Sequence, residues 1–362
     1  MHKQMTETIN ERSLATIERI AEIKKHTNAD ALYIAHVQGY NVVINYELMF
    51  GKDVEPASVI GTRIVYIQID SIMPLIFEKE AFWKYLKKTH MGMCVTTAKI
   101  RGEYSQGMIL LFSDINRMFP NLRMDEFPDG YDLTKTLGII KYYAEDDQEK
   151  PDNGKAESFP VFLRKTDQER LQMNFNKIKI ASQDRLFTAT QKFDGQSVQW
   201  YFKDGKTGVC SRNKECDIND KININMSNMN KRYDIFNKLN NLNKNISIQC
   251  EMYGTKINCN RHKMAAVDIA VFDIFDIDKQ RFLCHKEVKY ICNELQLPIV
   301  TTVFEDKPFL SETIDAWIDL ANEQRYKENI RAEGIVCKTS DNKEPYITFK
   351  VISPEYLVKN HI

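Results

Sequence analysis

The sequence predicts an α+β chain of two domains: a small N-terminal β-barrel, then a larger domain of antiparallel sheets flanked by helices. Three observations lead there. The chain has 362 residues, more than one core commonly spans. Composition shifts once, at Lys141 to Pro160, "KYYAEDDQEKPDNGKAESFP", which is charged, broken by Gly and Pro, and without apolar periodicity. Short strands and turns dominate before that stretch, and strands mix with helical patterns after it. The boundaries read as 1–142 for the barrel, 143–158 for a linker and 159–362 for the second domain.

In the barrel, "ALYIAHV" and "NVVINY" flank Gln38-Gly39-Tyr40 as a hairpin pair. "TRIVYIQID" is β-rich, and "VTTAKIRGEYSQGMILLF" supplies two short strands around Gly102. "EKEAFWKYLKK" is the one helical piece. Beyond the linker, "LFTATQKF", "SVQWYF", "TGVCSRN", "ISIQCEMYG", "AVDIAVFDIFD", "GIVCKTS" and "YITFKVIS" read as strands. "HKEVKYICNELQ" and "TIDAWIDLANEQRYKE" read as helices. The Asn/Lys-rich stretch "NDKININMSNMNKRYDIFNKLNNLNKN" is a loop and a surface helix with biased composition.

Composition narrows the function. Lysine plus arginine and aspartate plus glutamate both total 50, so any nucleic-acid surface is a local patch and not a global field. The eight cysteines are scattered without C-x-x-C, which disfavours a zinc ribbon or a disulfide framework and fits a reducing cytoplasmic or nuclear interior. The histidines have no ligand spacing. No signal-peptide core opens the chain, and Arg63, Gln68 and Asp70 interrupt the apolar run Ser58 to Phe77, so no membrane span is expected. No apolar helix or heptad is left over, so a monomer is expected.

"ATQKFDGQS", Ala189 to Ser197, places Lys192 at a strand end, followed by Asp194 and Gly195. Taken alone, K-x-D-G is commonly a surface turn. A nucleophilic lysine must first lose a proton that it holds up to a pKa of about 10.4. It needs burial, cations or a metal to do so, and cations again if it attacks a phosphate. The chain supplies these groups in order: Arg212 in "SRN", Glu251 in "QCEMYG", Phe272 in "VFDIFD", Glu333 and Lys338 in "AEGIVCK", and Lys350 in "ITFKVIS". Each has a plain structural reading, and for Phe272 alone core packing is the better one.

As an ordered series, K-x-D-G, S-R-N, E-x-Y-G, F-D-I-F, E-G-I-V-x-K and F-K-V-I-S resembles the motifs of the covalent nucleotidyltransferases. These are the DNA ligases, RNA ligases and mRNA-capping guanylyltransferases. "FLRKTDQERLQ" before the lysine, with "SLATIERIAEIKKHTNADALYIAHVQGYNVVI" and "KIRGEYSQGMILL", is most similar to nick-sealing ATP-dependent RNA ligases with an N-terminal OB domain. The resemblance implies that Lys192 carries AMP as a lysyl phosphoramidate, which passes to an RNA 5′-phosphate before strand closure. It implies that Asp194, Glu251 and Glu333 hold hydrated Mg²⁺ or Mn²⁺. Arg212 would contact the nucleotide, Phe272 would stack on adenine, Arg170 would meet the triphosphate, and Lys350 the α-phosphate. Gln191 stands where many relatives have a glutamate that reads the adenine amino group, which leaves ATP against GTP open there. Thr348 replaces a lysine of the last motif, and Lys338 is the candidate to compensate.

In the barrel, Lys99, Arg101, Tyr104 and Gln106 are candidates for an RNA-binding groove, or else an ordinary polar hairpin. Capping enzymes and DNA ligases usually carry the OB domain after the last motif, whereas here the strand-rich segment precedes the lysine. A non-catalytic nucleic-acid-binding protein would have lost an essential group, and none of Lys192, Asp194, Glu251, Glu333 or Lys350 is lost.

Overall fold

The computed structural model describes residues 13–142, 157–166, 168–311 and 313–360. The chain forms two compact units, Met1–Asp147 with Val358–Ile362, and Gln148–Leu357. The expected linker lies outside the described residues, apart from Glu157–Ser158, which pair as a short strand with Lys214–Cys216.

In the first unit, Ala15–Arg19 and Met108–Leu111 flank Arg63–Ile67 in an antiparallel sheet. Their inward residues Ala15, Ile17, Val65, Ile67 and Leu110 join Phe77, Ile115 and Leu133 in one apolar core. The Leu32–Val37 and Tyr40–Asn45 hairpin closes through Gln38 and Gly39, both at positive φ, the geometry that follows strand twist. "EKEAFWKYLKK" is not a helix. Lys87–Thr89 pairs with Gly92–Val95, and the remainder, too short to repay helix nucleation, makes one 3₁₀ turn at Trp83–Tyr85.

The second unit contains two larger sheets. One has seven strands, with Gln196–Lys203, Ile246–Tyr253 and Asp268–Asp276 as neighbours. The other has five, ordered Glu169–Arg170, Thr348–Ile352, Gly334–Thr339, Leu186–Lys192, Thr302–Pro308. All pairs are antiparallel except Glu169–Arg170 with Thr348–Ile352. Each sheet has a main core on one face, and the seven-stranded sheet also packs Tyr201, Cys210 and Phe275 against Leu163 on the other. Val198, Trp200, Ile248, Cys250 and Val271 pack on the helices Ile224–Tyr233, Ile235–Leu242 and His285–Glu294. Phe187, Ala189, Ile335, Cys337 and Phe349 pack with Trp317 of the helix Ile314–Glu323. The Asn/Lys-rich stretch therefore gives two helices that bury Met226, Met229, Ile235 and Leu239. The helix expected through Glu328 stops at Glu323, and Arg325–Lys327 turns into a hairpin with Ile330–Arg331.

Candidate active site

Strand alternation decides what faces the cleft. Phe187 and Ala189 enter the core, so Thr188, Thr190 and Lys192 take the other face. Register extends that face across the sheet. Lys192 pairs with Gly334, Thr190 with Val336 and Thr188 with Lys338, while Val336 in turn pairs with Lys350. Arg170 pairs with Lys350, so both cations lie in the row next to Lys192. After Lys192, the Asp194-Gly195 turn carries the chain to the seven-stranded sheet. Only glycine fits there, since a Cβ at 195 would lie 2.3 Å from the Met252 carbonyl oxygen.

The Lys192 ammonium donates to Glu333 Oε2 at 2.6 Å. Burial works to lower the lysine pKa, but Glu333, Glu251 and Asp194 outweigh it and hold the amine protonated. Glu251 comes from the facing sheet, opposite Ser197 and Ala270. Burial first, then Glu333 and Asp194, pushes its carboxyl up to about 8 against the pull of Lys192. Glu333 is also raised, by burial above all. Glu251 is thus a carboxyl short of positive charge, beside a carboxylate that shares one ammonium. This donor set fits a divalent cation. Among the described residues no three His, Cys, Asp or Glu are grouped for direct ligation, so the fit is to a hydrated ion held through water.

Asp194 stands apart from the other two expected metal carboxylates. Its Oδ2 accepts from Arg261 Nη1 at 2.5 Å and from the Tyr356 hydroxyl, and its Oδ1 accepts from Asn258 Nδ2 at 2.7 Å. Burial works to raise its pKa, yet Arg261 and these hydrogen bonds hold it below the usual carboxylate range. Sequence reasoning missed all three partners. Asn258 and Arg261 sit on a loop with left-handed backbone at Lys256, Asn258, Cys259, Asn260 and Lys263, and Tyr356 on the helix Pro354–Asn360. The Asn-rich "NCN" was the available signal, because asparagine tolerates that conformation.

The other expected residues divide. Phe272 is the extra residue of a β-bulge: Cys250 pairs with Val271 and Gln249 with Asp273, leaving Phe272 between them. Phe272 faces away from the core that holds Ile269 and Val271, and the bulge keeps Asp273 out as well before Ile274 returns to the core. Lys338 donates to the Phe272 carbonyl at 2.8 Å and to Asp273 Oδ2 at 2.6 Å, joining the two sheets. Thr188, Thr190, Phe272, Asp273, His285 and Lys338 line a crevice between them. Lys338 is therefore spoken for by Asp273 and does not replace the cation missing at Thr348. Gln191 alternates to the face opposite Lys192, where its amide donates to the Arg325 carbonyl at 3.0 Å. Arg212 lies in the exposed turn between Lys206–Ser211 and Lys214–Cys216, outside the Lys192 row. In the first unit, Lys99 lies 5.0 Å over the Tyr104 ring, its cross-strand partner, and Arg101 forms the turn. Gln106 is buried, so it offers no groove contact.

A family model described as RNA ligase matches residues 185–352, and one described as an OB-fold domain matches residues 14–112. Among solved structures, a substituted Naegleria gruberi RNA ligase with ATP and Mn is 30% identical, over 96% of this chain and 99% of that chain, with a TM-score of 0.78. The chain belongs to the RNA ligase family. A second substituted form of that ligase with ATP and Mn reaches a TM-score of 0.80 at 29% identity, and a form with pyrophosphate 0.77 at 30%, both over 96% of this chain and 99% of theirs. A sequence search of curated proteins finds no match. The α+β architecture with an N-terminal OB fold is as expected from the sequence. In the ligase, all eight cysteines are free thiols, and no helix among the described residues is long and apolar enough to cross a membrane.

Proposed function

We propose that this ligase uses ATP to join RNA 3′-hydroxyl and 5′-phosphate ends, as at a nick, through a covalent lysyl-AMP and an RNA-adenylate. The observation that carries the reading is the Lys192–Glu333 pair at 2.6 Å, with Glu251 opposite and the cations Arg170 and Lys350 in the adjoining row. The Lys192 amine attacks the α-phosphorus of ATP, the bond to pyrophosphate breaks, and the amine proton has an acceptor in Glu333. Arg170 and Lys350 offset the charge growing on the phosphate oxygens. A hydrated Mg²⁺ or Mn²⁺ at Glu251 and Glu333 would lower the lysine pKa and neutralise the α-phosphate. Phe272, facing away from the core, offers the face on which adenine stacks. An RNA 5′-phosphate oxygen then takes the AMP as the P–N bond breaks. Last, the 3′-hydroxyl displaces AMP. The Naegleria gruberi RNA ligase solved with ATP and Mn, with AMP and Mn, and with pyrophosphate supports the use of these ligands.

The test is labelling with α-labelled ATP, followed by a chase with nicked duplexes. The protein is expected to take label, then surrender it to nicks whose 3′-hydroxyl strand is RNA. Equal transfer to all-DNA nicks would make it a DNA ligase, and retention of label through every chase would remove strand joining.

A pH dependence follows from Glu251. With its carboxyl pushed up to about 8, a cation must displace a proton below that pH. Apparent Mn²⁺ affinity, read by calorimetry, is expected to tighten by about tenfold per pH unit up to pH 8 and then level off. Glu251→Gln is expected to flatten that profile, and an unchanged slope would place the proton elsewhere.

A further inference from the structure

We propose that Tyr326 is the positioning residue of the lysine centre, its single hydroxyl fixing Lys192, Asp194 and Glu333 relative to one another. The inference rests on the lysine chemistry proposed above. The Tyr326 hydroxyl donates to the Lys192 carbonyl at 2.7 Å. It accepts the Asp194 N–H at 2.9 Å and the Glu333 N–H at 3.1 Å. A phenol has one donor and two acceptor sites, so its whole capacity is committed to these three backbones.

Strand pairing explains why something must stand there. The register between Leu186–Lys192 and Gly334–Thr339 ends at Lys192 opposite Gly334. Just past that rung, Lys192 bends into the turn toward Asp194, and Glu333 enters from the hairpin side. The Glu333 carbonyl still accepts the Ser353 N–H at 2.9 Å, while the Lys192 carbonyl and the Asp194 and Glu333 N–H groups turn to the Tyr326 hydroxyl, as buried polar backbone must be paired. The Tyr326 hydroxyl serves as the missing rung. It ties the backbone of the nucleophile to that of the carboxylate its amine contacts at 2.6 Å.

The ring is held independently of the hydroxyl. His262 stacks on it, with centroids 3.7 Å apart and planes 17° apart, and Phe193 meets it edge-on at 5.2 Å. Burial lowers the His262 pKa to about 4, so the stacking ring stays neutral near pH 7. Removing the hydroxyl therefore leaves the seat of the ring in place. Tyr326 touches no reacting atom. Its effect passes through the backbones it holds, and misplacement on the ångström scale is enough to slow a reaction between oriented groups.

The test is Tyr326→Phe in the full chain, with single-turnover labelling by α-labelled ATP and Mg²⁺. The rate constant for label uptake is expected to fall about 10- to 100-fold, at full amplitude and with the ATP concentration dependence within about twofold of wild type. Pyrophosphate-driven release of the label should slow by the same factor, since both directions share one transition state. Tyr346→Phe is the control. It deletes another buried hydroxyl, one with no hydrogen-bond partner among the described residues, and is expected to leave the rate unchanged. A wild-type rate constant in Tyr326→Phe overturns the inference. So does a loss confined to amplitude, which signals fewer folded molecules and not a misplaced centre. No label on the wild-type protein overturns the lysine reading itself, whereas a labelled wild type with an unaffected Tyr326→Phe overturns only the role of Tyr326.

Discussion

Lys192→Ala is expected to take up no label from α-labelled ATP, while the wild-type protein gains an acid-labile, protein-bound label. The expectation follows from placement. Lys192 ends its strand in the cleft, against Glu333 and with Arg170 and Lys350 in the next row. Lys338 is tied to Asp273 and cannot stand in as nucleophile. The variant also leaves Glu333 buried without its ammonium, so that carboxyl should hold a proton to higher pH. Any covalent label on Lys192→Ala would place the nucleophile elsewhere and dismantle the mechanism.

The second large effect is expected at Glu333→Ala, and its sign separates two roles. The structure makes Glu333 the partner of the Lys192 ammonium. Were its only role toward the amine, as ion partner and proton acceptor, deleting it would let burial pull the amine pKa down so that solvent could take the proton instead. Adenylylation would then hold or quicken. If Glu333 also holds a divalent cation, its loss removes charge stabilisation in the transition state, commonly about 3 kcal/mol or roughly 100-fold in rate. We expect the second outcome. Single-turnover labelling across a Mn²⁺ titration reads it, with rescue by excess metal at most partial. A rate equal to wild type at saturating metal would confine Glu333 to holding the ammonium.

Much of this site was legible because its parts lie on strands. Lys192, Glu251 and Glu333 each sit at or beside a strand end within a local pattern, and local patterns survive in sequence. What the sequence hid depends on long-range placement. Tyr326, Arg261 and Tyr356 reach the turn at Asp194 from segments that carry no motif. The bulge at Phe272 was also invisible, since nothing in "VFDIF" marks an inserted residue until its neighbour strand sets the register. Gln191 and Lys338 were assigned by position in a motif, but alternation and Asp273 decide where their side chains go. In the barrel, "EKEAFWKYLKK" has helical spacing, but a tight hairpin with Gly92–Val95, just past its end, captures Lys87 and Lys88 as strand.

The separate cores have a mechanical consequence. Each sheet rests on an apolar core of its own, with Val198 and Trp200 in one and Phe187 and Phe349 in the other, so each is held by burial worth about 25 cal/mol per Å² that does not depend on the partner sheet. Between them run polar ties, with Lys338 on Asp273 as the rivet, together with the stacked rings of Phe282 and Tyr346. Loosening those ties would therefore leave both slabs whole.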